Sequence, residues 1–447
     1  MSINKSVLLK TAFSILSSAI SVLLLNTFFE RSSFAFSIEI GVLLFIILEV
    51  FLVYKDRFSP LLFLFISFGI GILDVILVGL NVRIVSNRYP MEVYEKTLGI
   101  IIIWIAFFII GYFLLKKKNN NRQKKQAKHL KHIDNNIILI IFSLLYLFAV
   151  IKVAKTFVAL GGVDSSIVNS AIFRYDNQAY LATILSLSSI IPICLMEKGK
   201  NKIALITTVL MLVVLVLTGR RGIIINYLLI PIITYINYKR IKISNKIGIV
   251  FLAISMTIIL IIGNARGQSS ASNSDNFVVE SLTNLTVSTK LGESLPDTIY
   301  AIDSGKVDHS YFKYFFRGII GLIPRAVWKE KPDLIDHSTI ISSDIYNVTT
   351  YGRPIGSFGY SYYCFGIIGT IITGLVSGML TKRFYHWMLN NKDYIHIFIY
   401  SVLVINMINI VKPESQLTII STCIIIYIAS ATSYLFNKNN YSNLETV

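Results

Sequence analysis

The chain has 447 residues, 54% of them hydrophobic, with 42 Lys and Arg against 24 Asp and Glu and a formal net charge of +18. Soluble domains are typically about 45–50% apolar, in short periodic runs; here the apolar residues gather into stretches near the roughly 20 residues that cross a bilayer's hydrocarbon. That excludes a soluble globular enzyme.

In chain order the runs predict helices at 7–28, 34–54, 59–80, 97–115, 137–156, 179–196, 203–218, 222–238, 247–263, 358–380, 394–411 and 416–436. In hydrocarbon every backbone N–H and C=O must be bonded internally, so runs of this kind are helices. The expected fold class is all-α: a polytopic integral membrane protein with about 12 transmembrane helices and one large extracytoplasmic loop. The first run, Val7 to Phe28, is longer than a cleavable signal's apolar region and reads as a signal anchor. Cys194, Cys364 and Cys423 all fall inside apolar runs, where a thiol packs as a small hydrophobe.

Residues 116–136, KKKNNNRQKKQAKHLKHIDNN, carry eight Lys and Arg in 21 residues. Basic loops stay in the cytoplasm. Alternation from that loop puts both termini inside, together with the basic stretches 197–202, 239–246 and 381–393. It puts 264–357 outside. Three parts result: 1–263 with nine helices, the extracytoplasmic loop 264–357, and 358–447 with three more helices.

Arginine departs from the trend. Of 14 Arg, the alternation leaves Arg57, Arg122, Arg240 and Arg383 inside. The other ten are outside: Arg31, Arg83, Arg88, Arg174, Arg220, Arg221, Arg266, Arg317, Arg325 and Arg353. Guanidinium is the better bidentate partner for phosphate and carboxylate. An outward excess therefore points to a basic funnel for a diphosphate or an acidic sugar; the plainer reading is that several pair with carboxylates of the loop.

No P-loop or Gly-rich nucleotide fingerprint occurs, and the basic cytoplasmic loop is too short for a nucleotide-binding domain. His309 and His337 lack a second ligand at metal spacing. No cofactor, metal or nucleic acid is expected. Chemistry at this protein would need a substrate that brings its own free energy, and a lipid-linked diphosphate meets that need.

Three motifs carry the candidate site. TGRRG, Thr218 to Gly222, sets Arg220 and Arg221 in a tight outer hairpin, read as a diphosphate clamp or as an interfacial anchor. GNARGQ opens the large loop with Arg266 at the membrane surface. FFRGIIGLIPRAVWKEKPD groups Arg317, Arg325, Lys329 and Lys331 with Trp328, whose flat face suits a sugar ring or the headgroup belt. Arg174 and Arg353 join the cation set. For a general base the candidates are Glu280, Glu293, Asp297, Asp333, Asp336, Asp344, His309 and His337; sequence alone does not choose. Glycines 366, 369, 374 and 378 put small residues along the tenth helix, which reads as close helix packing. Glu39, Glu49, Asp74, Lys152 and Lys155 are charges inside predicted spans.

TGRRG, IPRAVWKEKPD and GSFGYSYYCFGIIGTIITG, between Leu217 and Gly378, resemble the O-antigen polymerases, or oligosaccharide repeat-unit polymerases of Wzy type. A family pattern of Arg, ten residues and Gly is not present: eleven positions after Arg174 stands Leu185, and after Arg325 stands Asp336. The resemblance implies a metal- and nucleotide-independent, GT-C-like membrane glycosyltransferase of the bacterial inner membrane, working in lipopolysaccharide or related surface polysaccharide synthesis. It would move a growing glycan from polyprenyl (undecaprenyl) diphosphate to the non-reducing end of a lipid-linked repeat unit. Arg220, Arg221 and Arg325, with Arg266, Lys331 and Arg353, would stabilise the leaving diphosphate; a carboxylate or His337 would take the proton. Polyprenyl-diphosphate-linked oligosaccharides, membrane lipid, a chain-length regulator and a flippase are the implied partners. A glycan ligase of the same layout, or a flippase, is the alternative.

Overall fold

The computed structural model describes residues 5–28, 33–52, 59–80, 89–115, 135–159, 184–185, 187–217, 228–239, 291–312, 355–391, 393–413 and 415–428, with isolated positions between 320 and 347. Among them every regular element is a helix. In order these are α1 (Lys5–Phe28), α2 (Phe34–Leu52), α3 (Pro60–Gly79), α4 (Met91–Leu114), α5 (Asn135–Ala159), α6 (Ile190–Glu197), α7 (Asn201–Leu217), α8 (Ile230–Lys239), α9 (Leu291–Asp303), α10 (Gly356–Asn391) and α11 (Tyr394–Ile408). A last apolar helix, α12, runs Ser415–Ile428.

Among the described residues five helices are long and apolar enough to cross a membrane: Leu9–Thr27, Phe34–Leu52, Met91–Leu114, Asn136–Lys155 and Gly356–Asn391. Residues 201–215, 394–408 and 415–428 form shorter apolar helices. The chain is thus a multi-pass membrane protein, all-helical among the described residues. The predicted ninth span, 247–263, lies outside the described residues, as does the basic loop after α4. The tenth prediction stopped too early: α10 continues through the basic stretch after 380 as far as Asn391.

The helices fall into two compact units. The first holds α1 to α4, α9, α10 as far as Arg383, and residues 405–417. α1 and α2 pack along each other. Lys10 Nζ reaches the Leu52 carbonyl at 2.8 Å, a cation on the C-terminal end of α2, and Thr11 Oγ1 donates to Glu49 at 3.5 Å. Leu9, Leu16 and Leu23 remain more than half exposed, as lipid-facing side chains do. α3 starts on Ser59, whose Oγ accepts from Leu61 N–H, with Pro60 in the first turn. α10 approaches α4 closely: a Cβ on Gly374 would meet the Trp104 carbonyl, one on Gly378 the Phe108 carbonyl, and one on Gly111 the Leu375 carbonyl. Beneath this contact Trp104, Phe108, Phe68 and Phe358 form an aromatic knot from three helices, with centroids 4.5–5.7 Å apart.

α9 corrects one expectation. It belongs to the stretch read as one large extracytoplasmic loop, yet it packs against α3 and α4. Ser294, Leu295, Asp297, Thr298, Ile299, Ala301 and Ile302 are all buried. Its polar letters hide this: Thr298 Oγ1 bonds the Ser294 carbonyl within the helix at 2.6 Å, so a hydroxyl counts as polar in sequence while being satisfied in the interior.

The second unit holds α5 to α8, residues 384–404 and the chain from 418. Glu197, ending α6, accepts from Tyr235 Oη and, at 3.1 Å, from Lys239 Nζ, which ties α6 to α8. Asp393 accepts the His396 backbone N–H at 2.8 Å and its Nδ1 at 2.6 Å, capping the start of α11.

Candidate functional site

The first unit holds an irregular corner where α4, α9 and α10 meet. α10 is broken near its N-terminal end. Phe365 (φ −142°, ψ 16°) and Gly366 (φ 64°, ψ −149°) leave the helical region. Gly366 is the residue that permits this, since positive φ with extended ψ is essentially closed to a side chain. A break inside an apolar helix frees backbone carbonyls, which must find donors. Here the chain after α9 supplies them: Ser310 N–H bonds the Tyr363 carbonyl and Tyr311 N–H the Cys364 carbonyl, both at 3.0 Å.

That chain is aimed by the end of α9. Gly305 N–H returns to the Ile302 carbonyl and Lys306 N–H to the Ala301 carbonyl. With φ 69° at Gly305 this is a Schellman cap. The cap makes Asp303 the last helical residue, a carboxylate at the end where the helix dipole disfavours it.

Two groups hold Asp303. Lys96 Nζ, from the first turns of α4, reaches its Oδ2 at 2.6 Å. Tyr362 Oη, from the short piece of α10, donates to its Oδ1 at 2.6 Å. Lys96 also stands 5.4 Å from the Tyr362 ring centroid. The Lys96 and Asp303 side chains are 39% and 35% exposed, so this charged pair opens to the surroundings. His309 sits against the break: its Nδ1 is 3.3 Å from the Tyr363 carbonyl, and its ring lies 5.9 Å from Tyr362 and 6.1 Å from Tyr311. Tyr89 lies tilted against Tyr300 nearby, with ring centroids 4.6 Å apart.

Few of the sequence-predicted site residues can be placed. Trp328 and Lys329 are exposed on a turn. No hydrogen bond or ring contact among the described residues ties either to the Asp303 corner. Arg174, Arg220, Arg221, Arg266, Arg317, Arg325, Lys331, His337 and Arg353 lie outside the described residues. Among the general-base candidates, Asp297 is buried in α9, Glu293 belongs to the same helix, and His309 stands at the break. Glu280, Asp333, Asp336 and Asp344 lie outside the described residues.

Lys96, Asp303 and Tyr362 were missed. Lys96 fell one residue outside the predicted span, and Tyr362 looked like one more aromatic in an apolar run. One available signal was Asp303-Ser304-Gly305: an acid two residues ahead of a helix-ending glycine, where a base is the usual choice.

A buried bundle with a broken helix and a half-open charged corner defines a class: a multi-pass membrane protein with a polar site held by tertiary contacts, not a simple anchor. The sequence matches the family O-antigen polysaccharide polymerase Wzy over residues 7–440, nearly the whole chain. The protein belongs to that family, and is a polysaccharide polymerase of membrane-glycosyltransferase type acting on lipid-linked oligosaccharide repeat units. No curated protein and no solved structure matches the chain.

Proposed function

We propose that the protein polymerises a surface polysaccharide at the outer face of the cytoplasmic membrane. It transfers the growing glycan from polyprenyl diphosphate to the non-reducing end of a lipid-linked repeat unit. The observation that carries this reading is the Asp303 corner, where an open Lys96–Asp303 pair, Tyr362 and His309 gather at a helix break in a chain of this family. Hydroxyl-rich substrates need such groups to orient them, and a break in a membrane helix persists where it lines a polar site.

The leaving diphosphate needs cations that are already in place when its charge develops. Arg220, Arg221 and Arg325 are assigned that role, with Arg174, Arg266, Arg317, Lys329, Lys331 and Arg353 as further contacts and Trp328 as a stacking face. Proton removal from the acceptor falls to His337 or another group of the large loop. The basic segment 116–136 lies in the cytoplasm in this reading, and both termini with it.

Reconstitution with purified lipid-linked repeat units and no nucleotide tests the proposal. Glycan should lengthen on the carrier. Arg325→Lys should lose about tenfold or more in rate, since lysine keeps the charge and lacks the planar fork. Movement of the lipid across the bilayer with no new glycosidic bond would replace the reading with a flippase.

A further inference from the structure

We propose that the break in α10 and the chain bonded to it form the acceptor-sugar subsite, with His309 Nε2 as the atom that receives the hydroxyl proton. This rests on the polymerase reading and names a site and a base within it.

The tautomer comes first. His309 Nδ1 faces the Tyr363 carbonyl at 3.3 Å. A carbonyl only accepts, so in the neutral ring Nδ1 carries the proton and Nε2 keeps the lone pair. Nε2 points past Gly366: a Cβ there would stand 3.6 Å from it and 3.5 Å from Cε1. The glycine that lets the helix break therefore also puts no side chain against this nitrogen.

The surroundings fit a sugar ring. Tyr311 and Phe312 are 60% and 63% exposed, directly beyond the half-buried His309. Phe365 stands 6.3 Å from Tyr311 and 4.8 Å from Phe312. These rings offer flat faces to the C–H side of a pyranose, while Asp303 and Lys96 offer an acceptor and donors for its hydroxyls. An interfacial aromatic belt alone explains exposed rings. It does not explain Tyr311 at φ 45°, a left-handed conformation disfavoured for a bulky residue. Such outliers persist where the surroundings fix them, and they cluster at ligand sites. Here the Tyr311 N–H bond to Cys364 fixes it.

In the reaction the acceptor oxygen bonds to the anomeric carbon of the growing chain. That carbon's bond to the diphosphate oxygen breaks, and its electron pair leaves with polyprenyl diphosphate. The acceptor proton passes to Nε2.

The experiment uses the whole protein in nanodiscs and two readouts. First, the native chain is treated with diethyl pyrocarbonate, with and without the oligosaccharide released by mild acid from the source cell's lipid-linked repeat unit. Modification at His309 is followed by mass spectrometry. His309 should react, and saturating oligosaccharide should slow that reaction about tenfold. An unreactive or unprotected His309 overturns the subsite without requiring any variant to fold. Second, chain extension is measured. His309→Gln should lower kcat about 100-fold, within the usual range for a general base, while KM stays within about threefold. Tyr311→Ala should instead raise KM about tenfold. An unchanged kcat in His309→Gln overturns the base assignment. If the native protein protects His309 with sugar yet extends no glycan, the polymerase reading fails and the sugar site stands.

Discussion

At the scale of single residues, the Lys96–Asp303 pair separates stability from activity. Both side chains are more than a third exposed, and exposed pairs contribute only about 0–1 kcal/mol. Asp303→Asn should therefore leave thermal unfolding in detergent nearly unchanged. If the corner serves the reaction, the same substitution should lower chain extension about tenfold or more. A large stability loss with no separate loss of activity would make Asp303 a structural residue. Gly366 makes the opposite case. Its φ of 64° with ψ −149° should cost Gly366→Ala on the order of 1–3 kcal/mol in backbone strain. The new methyl would also stand in contact with the His309 ring, 3.5 Å from Cε1 and 3.6 Å from Nε2. Both stability and activity should fall, and comparison with Asp303→Asn separates the two effects.

At the scale of elements, α4 and α10 depend on missing side chains. A Cβ on Gly378 would collide with the Phe108 carbonyl and the Tyr112 N–H, which are backbone atoms and cannot swing aside. Gly378→Ala should destabilise the protein by about 1–3 kcal/mol, the usual cost of overpacking, read as a lower unfolding midpoint in lipid nanodiscs. The sequence did show that this helix packs closely, though not against which partner, because glycines four apart on an apolar helix are a direct sign of close approach. Gly366 looked the same in sequence and does something else; spacing does not distinguish a glycine that packs from one that bends. Apolar runs located the described long helices, missing the first turns of α4, which begins at Met91 instead of 97, and the last part of α10, which runs to Asn391. They failed at α9, whose Ser294, Asp297 and Thr298 are buried because burial there depends on neighbours far along the chain. The candidate corner was illegible for the same reason. Asp303 lies 207 positions from Lys96 and 59 from Tyr362, and no local pattern joins them.

At the scale of the whole molecule, the family match over residues 7–440 and the apolar helices make this a multi-pass membrane polymerase. Its orientation is a separate matter, and the proposed reading takes it from the basic segment after α4. A cysteine placed at Lys329 should react with a membrane-impermeant maleimide added to intact cells, after any outer membrane has been permeabilised. One placed within 116–136 should react only after the inner membrane is opened. The reverse pattern would invert the topology and remove the arginines from the outer surface.

The tie between the chain after α9 and the broken α10 has a consequence for how such a protein diversifies. Both short bonds, Ser310 to Tyr363 and Tyr311 to Cys364, run from main chain to main chain. They do not depend on which side chains occupy positions 310 and 311, provided an N–H is present. The framework is indifferent to the fittings it carries. Lineages could exchange the exposed residues at 311 and 312 to suit new saccharides while the architecture beneath stays as it is.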